Sequence, residues 1–566
     1  MSGWVRHQAS WLIPAGVSIL FAIGFCWPLI GRFGDLGVAN DWDQHQLFHW
    51  VPYASVRVYR EIPLWNPFEC GGMPMLGNPQ SRWLSPFFLV HLWLGHARAL
   101  VVEIVAHVAI AWLGAFVLGR TYGLSRLAAV APAVVFAGSS ALYLHMGAGH
   151  TGWMAYAYTP WALAAFARGW AFAAGALVAL MVGEGGTYAA PHTALLLAFL
   201  AVYTAITRRS IRPLGDVVVT IIVAAGLAEP KLLVMDELMA RLPRLIESAE
   251  GTSLPLLWTA LFSPAQVLDD EPPGHLYRFL EYGAYIGVVP VLLGIVGALR
   301  SRASAAPWLV MIAGGILLTL GATVGGEYSP WALLHRLPIF ESQRVPSRFI
   351  LPTVLAIGML AGLGIDAMRP LLPSFHRAAA TVLLAAGVMD MSLVGPPNLR
   401  FVFEQPVTLR PAAPHFVQYR DDTPHAMYPL ARANMGAVNC SEALAPVQAA
   451  RGSNEPAYRG EQYLTGDGEV SLVAWTPHRL IFDVATRHSP NVLVVNQNHH
   501  TSWRLVSGDG QVVEYEGLLA LRVSGSGRYT LAFESQRFRE GVMLAAATLG
   551  IGAAAAMFRR RHRIRR

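Results

Sequence analysis

The run ALVVEIVAHVAIAWLGAFVLG (99–119) decides how this chain folds. It is long enough to cross the apolar core of a bilayer, which takes roughly 20 residues. Comparable runs stand near 11–31, 127–146, 152–168, 169–184, 188–206, 214–230, 283–299, 306–323, 349–368, 377–395 and 541–558, several of them short. Composition agrees. The 566 residues are 54% hydrophobic and only 14% charged, where a soluble chain carries about 25% charged residues. Mean hydropathy is +0.42. The expectation is a polytopic α-helical membrane protein with about 12 transmembrane helices.

The net charge of +7 does not point to nucleic acid, because the arginines punctuate the apolar runs. Arg120, Arg126, Arg168, Arg208, Arg209, Arg212, Arg300, Arg302, Arg369 and Arg377 fall in short connections, and RRRHRIRR (559–566) ends the chain. Short Arg-rich loops mark the cytoplasmic side. Both termini are then expected inside, with 32–98, 231–282, 324–348 and 396–540 outside. The first run is too long for a cleaved signal peptide and lacks a small-x-small site.

The segment 396–540 is different material. EVSLVAW (469–475), HRLIFDVAT (478–486), NVLVVNQNH (491–499), QVVEYEG (511–517) and RYTLAFES (528–535) alternate apolar and polar residues, as short antiparallel strands do. SGDG (507–510) reads as a hairpin turn. A small extracytoplasmic β-sandwich-like domain is expected, with a less regular lead-in at 396–460. The expected division is 1–395 membrane domain with a long first external loop (32–98), 396–540 β-domain, and 541–566 final helix and basic tail. Cys26, Cys70 and Cys440 give neither metal spacing nor a disulfide framework. Cys70 and Cys440 would both lie outside, where a bridge is chemically allowed, but spacing does not show that their Cα atoms approach.

Chemistry-bearing residues concentrate in the outer segments. NDWDQHQ (40–46) sets Asp41 and Asp43 just beyond the first span, and acids held at a membrane boundary are functional candidates. The alternative is a helix cap or the start of a solvated loop. FHWVPYASVRVYREI (48–62) reads as amphipathic and suited to the headgroup layer. IPLWNPFECGGMP (62–74) and GNPQSRWLSPF (77–87) hold too much Pro and Gly for a spanning helix. GHTGW (149–153) places His150 in an external turn, with His145 nearby, and GEGGTY (183–188) places Glu184 at an external helix end. Lys231 is the only lysine; it suits snorkelling to headgroups and phosphate binding equally. FLEYGAYIG (279–287) carries Glu281, Tyr282 and Tyr285, which an aromatic belt with one acid would also explain. In RLPIFESQRVPSRF (336–349), Arg344 and Arg348 flank Pro346 before a span, where guanidinium forks suit a lipid phosphate.

In their order, the Asp-bearing loop, PLWNP, SPF, GH-x-x-W, EY-x-x-YIG and RVPSRF resemble the YfhO-type bacterial membrane proteins of the GT-C glycosyltransferase superfamily. NVLVVNQNHHTSWRLVSGDG (491–510) and FREG (538–541) resemble that family's terminal β-domain and anchor. The resemblance implies transfer of a sugar from a polyprenyl-phosphate carrier to an extracytoplasmic glycan, lipid or protein, at a bacterial plasma membrane. It gives the first-loop acid role to Asp41 or Asp43; both stand three residues before a glutamine, so the alignment does not choose.

Such a transfer needs a carboxylate to take the acceptor proton and cations to hold the departing phosphate. Arg344, Arg348 and Lys231 suit the latter. Glu281, Tyr282, His150, Glu184 and Gln80 form the expected substrate-binding set. No cofactor is called for, since a two-Asp pair alone does not indicate a divalent metal, and no Gly-rich nucleotide signature follows a strand. Two other readings compete: a transporter or flippase of lipid-linked sugars, and a non-catalytic scaffold that binds envelope polymer. Transporters tend to show internal repeats and midplane polar groups, and neither is evident here.

Overall fold

The computed structural model describes residues 2–240, 250–441, 449–487 and 490–564. Of the C-terminal arginines used in the topology argument, Arg565 and Arg566 lie outside the described residues. Among the described residues, eight helices are long and apolar enough to cross a membrane. They are His96–Thr121, Val130–Ala148, Ala189–Arg208, Arg212–Met239, Arg302–Thr319, Pro346–Ala367, His376–Phe403 and Gln536–Met557. Trp11–Phe25, Ala171–Gly183 and Val288–Arg300 are shorter apolar helices. The run at 152–168 is instead a 3-10 segment, Thr151–Tyr158, followed by the nine-residue helix Thr159–Ala167. Pro160 sits in the first turn of that helix, where its missing N–H is not needed.

A second departure concerns Lys231. The helix Arg212–Met239 runs on through Pro230, so Lys231 stands inside it rather than at the head of an external loop. The residues after Pro230, KLLVMDELM, are mostly good helix formers that carry the helix past the break.

The chain divides into two compact units. The first comprises residues 1–35, 98–227 and 245–404. Its centre is the helix Ile350–Ala367, buried along nearly its whole length. Val288–Arg300 packs against it through glycine. A Cβ on Gly364 would sit 1.9 Å from the Leu293 carbonyl oxygen, and one on Gly297 would sit 2.4 Å from that of Leu360. Small residues that let backbones approach are the usual means of joining helices in lipid, where apolar burial gives no preference for protein over tail.

The second unit comprises 36–97, 228–244 and 405–566. It contains two four-stranded antiparallel sheets. One has the order Gly510–Tyr515, Leu518–Val523, Asn491–Asn498, Gln462–Leu464. The other has the order Gly468–Thr476, Arg479–Thr486, Gly527–Phe533, Trp503–Ser507. Alternate residues point into a shared core: Leu480, Phe482 and Val484; Leu519, Leu521 and Val523; Tyr529, Leu531 and Phe533. SGDG does not close a hairpin. It carries the chain from Trp503–Ser507 in one sheet to Gly510–Tyr515 in the other, with Gly508 at φ +106°.

The loop at 62–74 is built into this unit. Trp65 is buried in the sheet core, and its Nε1 donates to Gln497 Oε1 at 2.9 Å. The backbone amides of Leu64 and Trp65 both donate to His478 Nε2, at 2.7 and 2.8 Å. His478 Nδ1 in turn faces Glu61 at 2.8 Å. Cys70 and Cys440 are joined in a disulfide. Replacing both cysteines by serine should lower thermal stability by about 2–4 kcal/mol, and non-reducing peptide mapping should recover the linked pair.

The segment 48–62 is largely enclosed, with Val58 and Ile62 exposed at its end. Leu47, Phe48, Val51 and Ala54 of the helix Trp42–Arg57 are buried, and so are His45, Gln46 and His49, so both faces are used within the protein. On Phe88–Leu94, Trp93 is 83% and Leu89 71% exposed.

Candidate functional site

In the second unit, Asp41 and Asp43 stand at the start of Trp42–Arg57 and have different surroundings. Asp41 is half-buried at the N-cap position; its carbonyl accepts the His45 amide at 3.1 Å. Asp43 is buried. Its two oxygens accept the amides of Met427 at 3.0 Å and Tyr428 at 2.8 Å, the first residues of the helix Met427–Arg432. Helix N-terminal amides are natural partners for a carboxylate. Burial raises the Asp43 carboxyl above its ordinary range, while the Tyr428 and Met427 amides pull it back. Asp43 lines a cavity of about 270 Å³ together with Asp421, Thr423, His425, Leu430 and Asn439.

Lys231 is buried in the same unit. Its ammonium donates to the carbonyls of Pro79 and Ser81, both at 2.7 Å. It therefore clamps the turn that presents half-buried Gln80, whose amide donates to Asn78 Oδ1 at 2.9 Å.

The first unit gathers another set. Arg348 meets Glu281 in a buried two-pronged pair: Nε to Oε2 at 2.7 Å and Nη2 to Oε1 at 2.5 Å. Its guanidinium lies 4.2 Å above the Tyr188 ring and 5.8 Å from that of Trp153. Burial pushes the Glu281 carboxyl up, but the Arg348 charge and fork outweigh it and hold Glu281 below the usual range. Arg344 is half-buried, with its guanidinium 5.7 Å from the Tyr277 ring and its amide donating to Tyr188 Oη at 3.2 Å. Tyr282 is buried, its hydroxyl accepting the Tyr277 amide at 3.3 Å. His150 shares a 2.7 Å Nδ1–Nδ1 contact with His145, which stacks on Trp153 at 3.3 Å.

Two members of this set carry no sequence signal. Tyr188 is one. Glu250 is the other: burial lifts its carboxyl to about 7, with Tyr282, Glu281, Arg348 and Ser347 nearby. A carboxyl whose folded value exceeds its unfolded value binds the extra proton in the folded state. Stability then falls as pH rises from the ordinary carboxylate range towards 7. Glu250→Gln should flatten that part of a melting-temperature against pH profile, and an unchanged slope would remove Glu250 from the account.

Glu184 falls with neither group. It caps the C-terminal end of Ala171–Gly183 and bonds His107 Nε2 at 2.8 Å and Tyr158 Oη at 3.0 Å. The structure thus brings Arg344, Arg348, Glu281, Tyr282 and His150 into one unit, and Asp41, Asp43, Lys231 and Gln80 into the other.

No protein-family model and no curated protein sequence matches the chain. Among solved structures it is similar to the arabinofuranosyltransferase AftD from Mycobacteria, at 16% identity and TM-score 0.45, over 69% of this chain and 27% of that one. It is also similar to the archaeal oligosaccharyltransferase AglB from Archaeoglobus fulgidus, solved with an inhibitory peptide and a dolichol-phosphate. That match has 12% identity and TM-score 0.47, over 78% of this chain and 65% of that one. The apo form of the Archaeoglobus enzyme gives 11% identity and TM-score 0.46, over 76% and 64%. The chain thus spans about a quarter of the first protein and under two thirds of the second. Likeness at this level carries no argument about chemistry, which rests on the residues above.

Proposed function

We propose that this chain is a membrane glycosyltransferase of the GT-C kind, taking a sugar from a polyprenyl-phosphate carrier and passing it to an acceptor hydroxyl outside the cytoplasm. The observation that carries the reading is Asp43: a buried carboxylate of raised proton affinity, fixed by two amides, on the wall of a cavity it shares with Asp421, His425 and Asn439. A general base needs both features, a fixed position and a raised affinity. Asp41, half-buried at the cap, has the weaker claim.

The acceptor oxygen gives its proton to Asp43 and bonds to the anomeric carbon. The bond from that carbon to the phosphate oxygen breaks, and the electron pair leaves with the lipid phosphate. A cation must stabilise the charge that grows there. We assign the phosphate contact to the half-buried Arg344 for its guanidinium fork, with Lys231 as the alternative. On this reading the enzyme sits in a bacterial plasma membrane with both termini inside.

Donor titration at saturating acceptor tests the phosphate assignment. Arg344→Ala should weaken donor use roughly ten- to hundredfold, the effect of one charge-assisted hydrogen bond. Arg344→Lys should fall between, because it keeps the charge and loses the fork. Unchanged donor dependence in Arg344→Ala would move the phosphate to Lys231.

A further inference from the structure

We infer that Glu103, His107 and Glu184 form a binding site for a divalent transition-metal cation, Zn²⁺ or Mn²⁺. The inference does not rest on the transferase reading. All three residues are buried, and one ligand atom from each lies within 4.8 Å of the others. Glu103 and His107 are four apart on His96–Thr121, so they share one face of that helix. Glu184 comes from the C-terminal end of Ala171–Gly183. A helix C-terminus favours positive charge through its exposed carbonyl dipoles.

The imidazole is set up to be a ligand. His107 Nδ1 lies 2.8 Å from the backbone oxygen of Glu103. A carbonyl only accepts, so Nδ1 carries the hydrogen, and in the neutral ring the lone pair is on Nε2. Anchoring one ring nitrogen on a carbonyl is how metal-bound histidines are commonly oriented. Nε2 points at Glu184 Oε2, 2.8 Å away, and Tyr158 Oη lies 3.2 Å from Nε2 and 3.0 Å from Glu184 Oε1. A tetrahedral ion with bonds of about 2.0–2.2 Å needs its ligand atoms roughly 3.3–3.5 Å apart. The His107–Glu184 contact would open by about half an ångström to admit it, and any pair as far apart as 4.8 Å would close towards the same spacing.

The donor types narrow the cation. One imidazole nitrogen with two carboxylate oxygens suits Zn²⁺ or Mn²⁺ better than Mg²⁺ or a thiolate-seeking ion. A divalent ion also neutralises two carboxylates carried by apolar helices, where charge is expensive. Tyr158 would then orient Glu184 from behind.

Metal content tests this directly. The full chain in nanodiscs is stripped with a chelator, exposed to Zn²⁺ or Mn²⁺, freed of unbound ion and analysed by inductively coupled plasma mass spectrometry. About one ion per chain is expected. His107→Ala and Glu184→Gln should fall to background. Tyr158→Phe should retain the ion about ten- to hundredfold less tightly. Wild type that retains no ion above a buffer control overturns the site, as does His107→Ala retaining as much as wild type. Should the variants fail to fold, Co²⁺ loading of wild type decides: a four-coordinate visible absorption band supports the site, and its absence leaves only a proton-sharing His–Glu pair.

Discussion

Asp43→Asn should reduce sugar transfer by about 10²–10⁴-fold, the usual contribution of a positioned general base. The amide side chain has nearly the same shape and keeps an oxygen for one of the Met427 and Tyr428 amides. Folding should therefore survive, which a melting curve beside the rate measurement would verify. Asp41→Asn should lose far less, since Asp41 is half-buried and only its carbonyl takes part in the first helical turn. The measured quantity is free polyprenyl phosphate released per unit time. Equal losses in the two variants would mean that geometry has not separated the two acids. Wild-type turnover in Asp43→Asn would make its amide contacts purely structural.

The second large effect concerns stability. Arg348→Ala or Glu281→Ala should each lower it by about 3–5 kcal/mol, because each leaves one buried charge without its partner. The pair itself need not be stabilising relative to an apolar pair of similar volume. The double variant Arg348→Met, Glu281→Leu should therefore recover much of the loss. Thermal unfolding in nanodiscs reads all three. If the single variants melt with wild type, the pair is open to solvent. The same experiment separates Arg348 from Arg344, whose alanine variant should lower the melting temperature less and alter donor use.

Much of the fold was legible because lipid imposes a length and strands impose a period. The apolar runs mark the long helices, and the alternation in HRLIFDVAT and RYTLAFES marks strands whose inner residues are Leu480, Phe482, Tyr529 and Leu531. The failures have physical causes. LLALRV (518–523) is a strand with five of its six residues buried, so it has no alternation to detect. SGDG has hairpin chemistry, but its flanking strands pair with other partners, a tertiary choice that a turn cannot dictate. Trp65 in PLWNP read only as part of a Pro- and Gly-rich loop because the strands that bury it lie some 400 residues further on.

The candidate site was legible as residues and not as partnerships. Asp43 stood out by its place after a span, yet the amides that hold it are 384 and 385 residues away. Arg348 and Glu281 were both singled out, for separate roles, although 67 residues of chain separate two halves of one ion pair. Glu103 and His107 drew no notice inside an apolar run, since their third partner sits on another helix.

The most direct measurement uses wild-type protein alone. Purified chain in nanodiscs is incubated with a panel of polyprenyl-phosphate sugars, with and without envelope glycan, lipid and peptide acceptors, and free polyprenyl phosphate is followed by mass spectrometry. The account predicts acceptor-dependent release from at least one donor, with the sugar recovered on the acceptor. Movement of intact lipid-linked sugar between leaflets with no release from any donor would contradict it and identify a transporter instead.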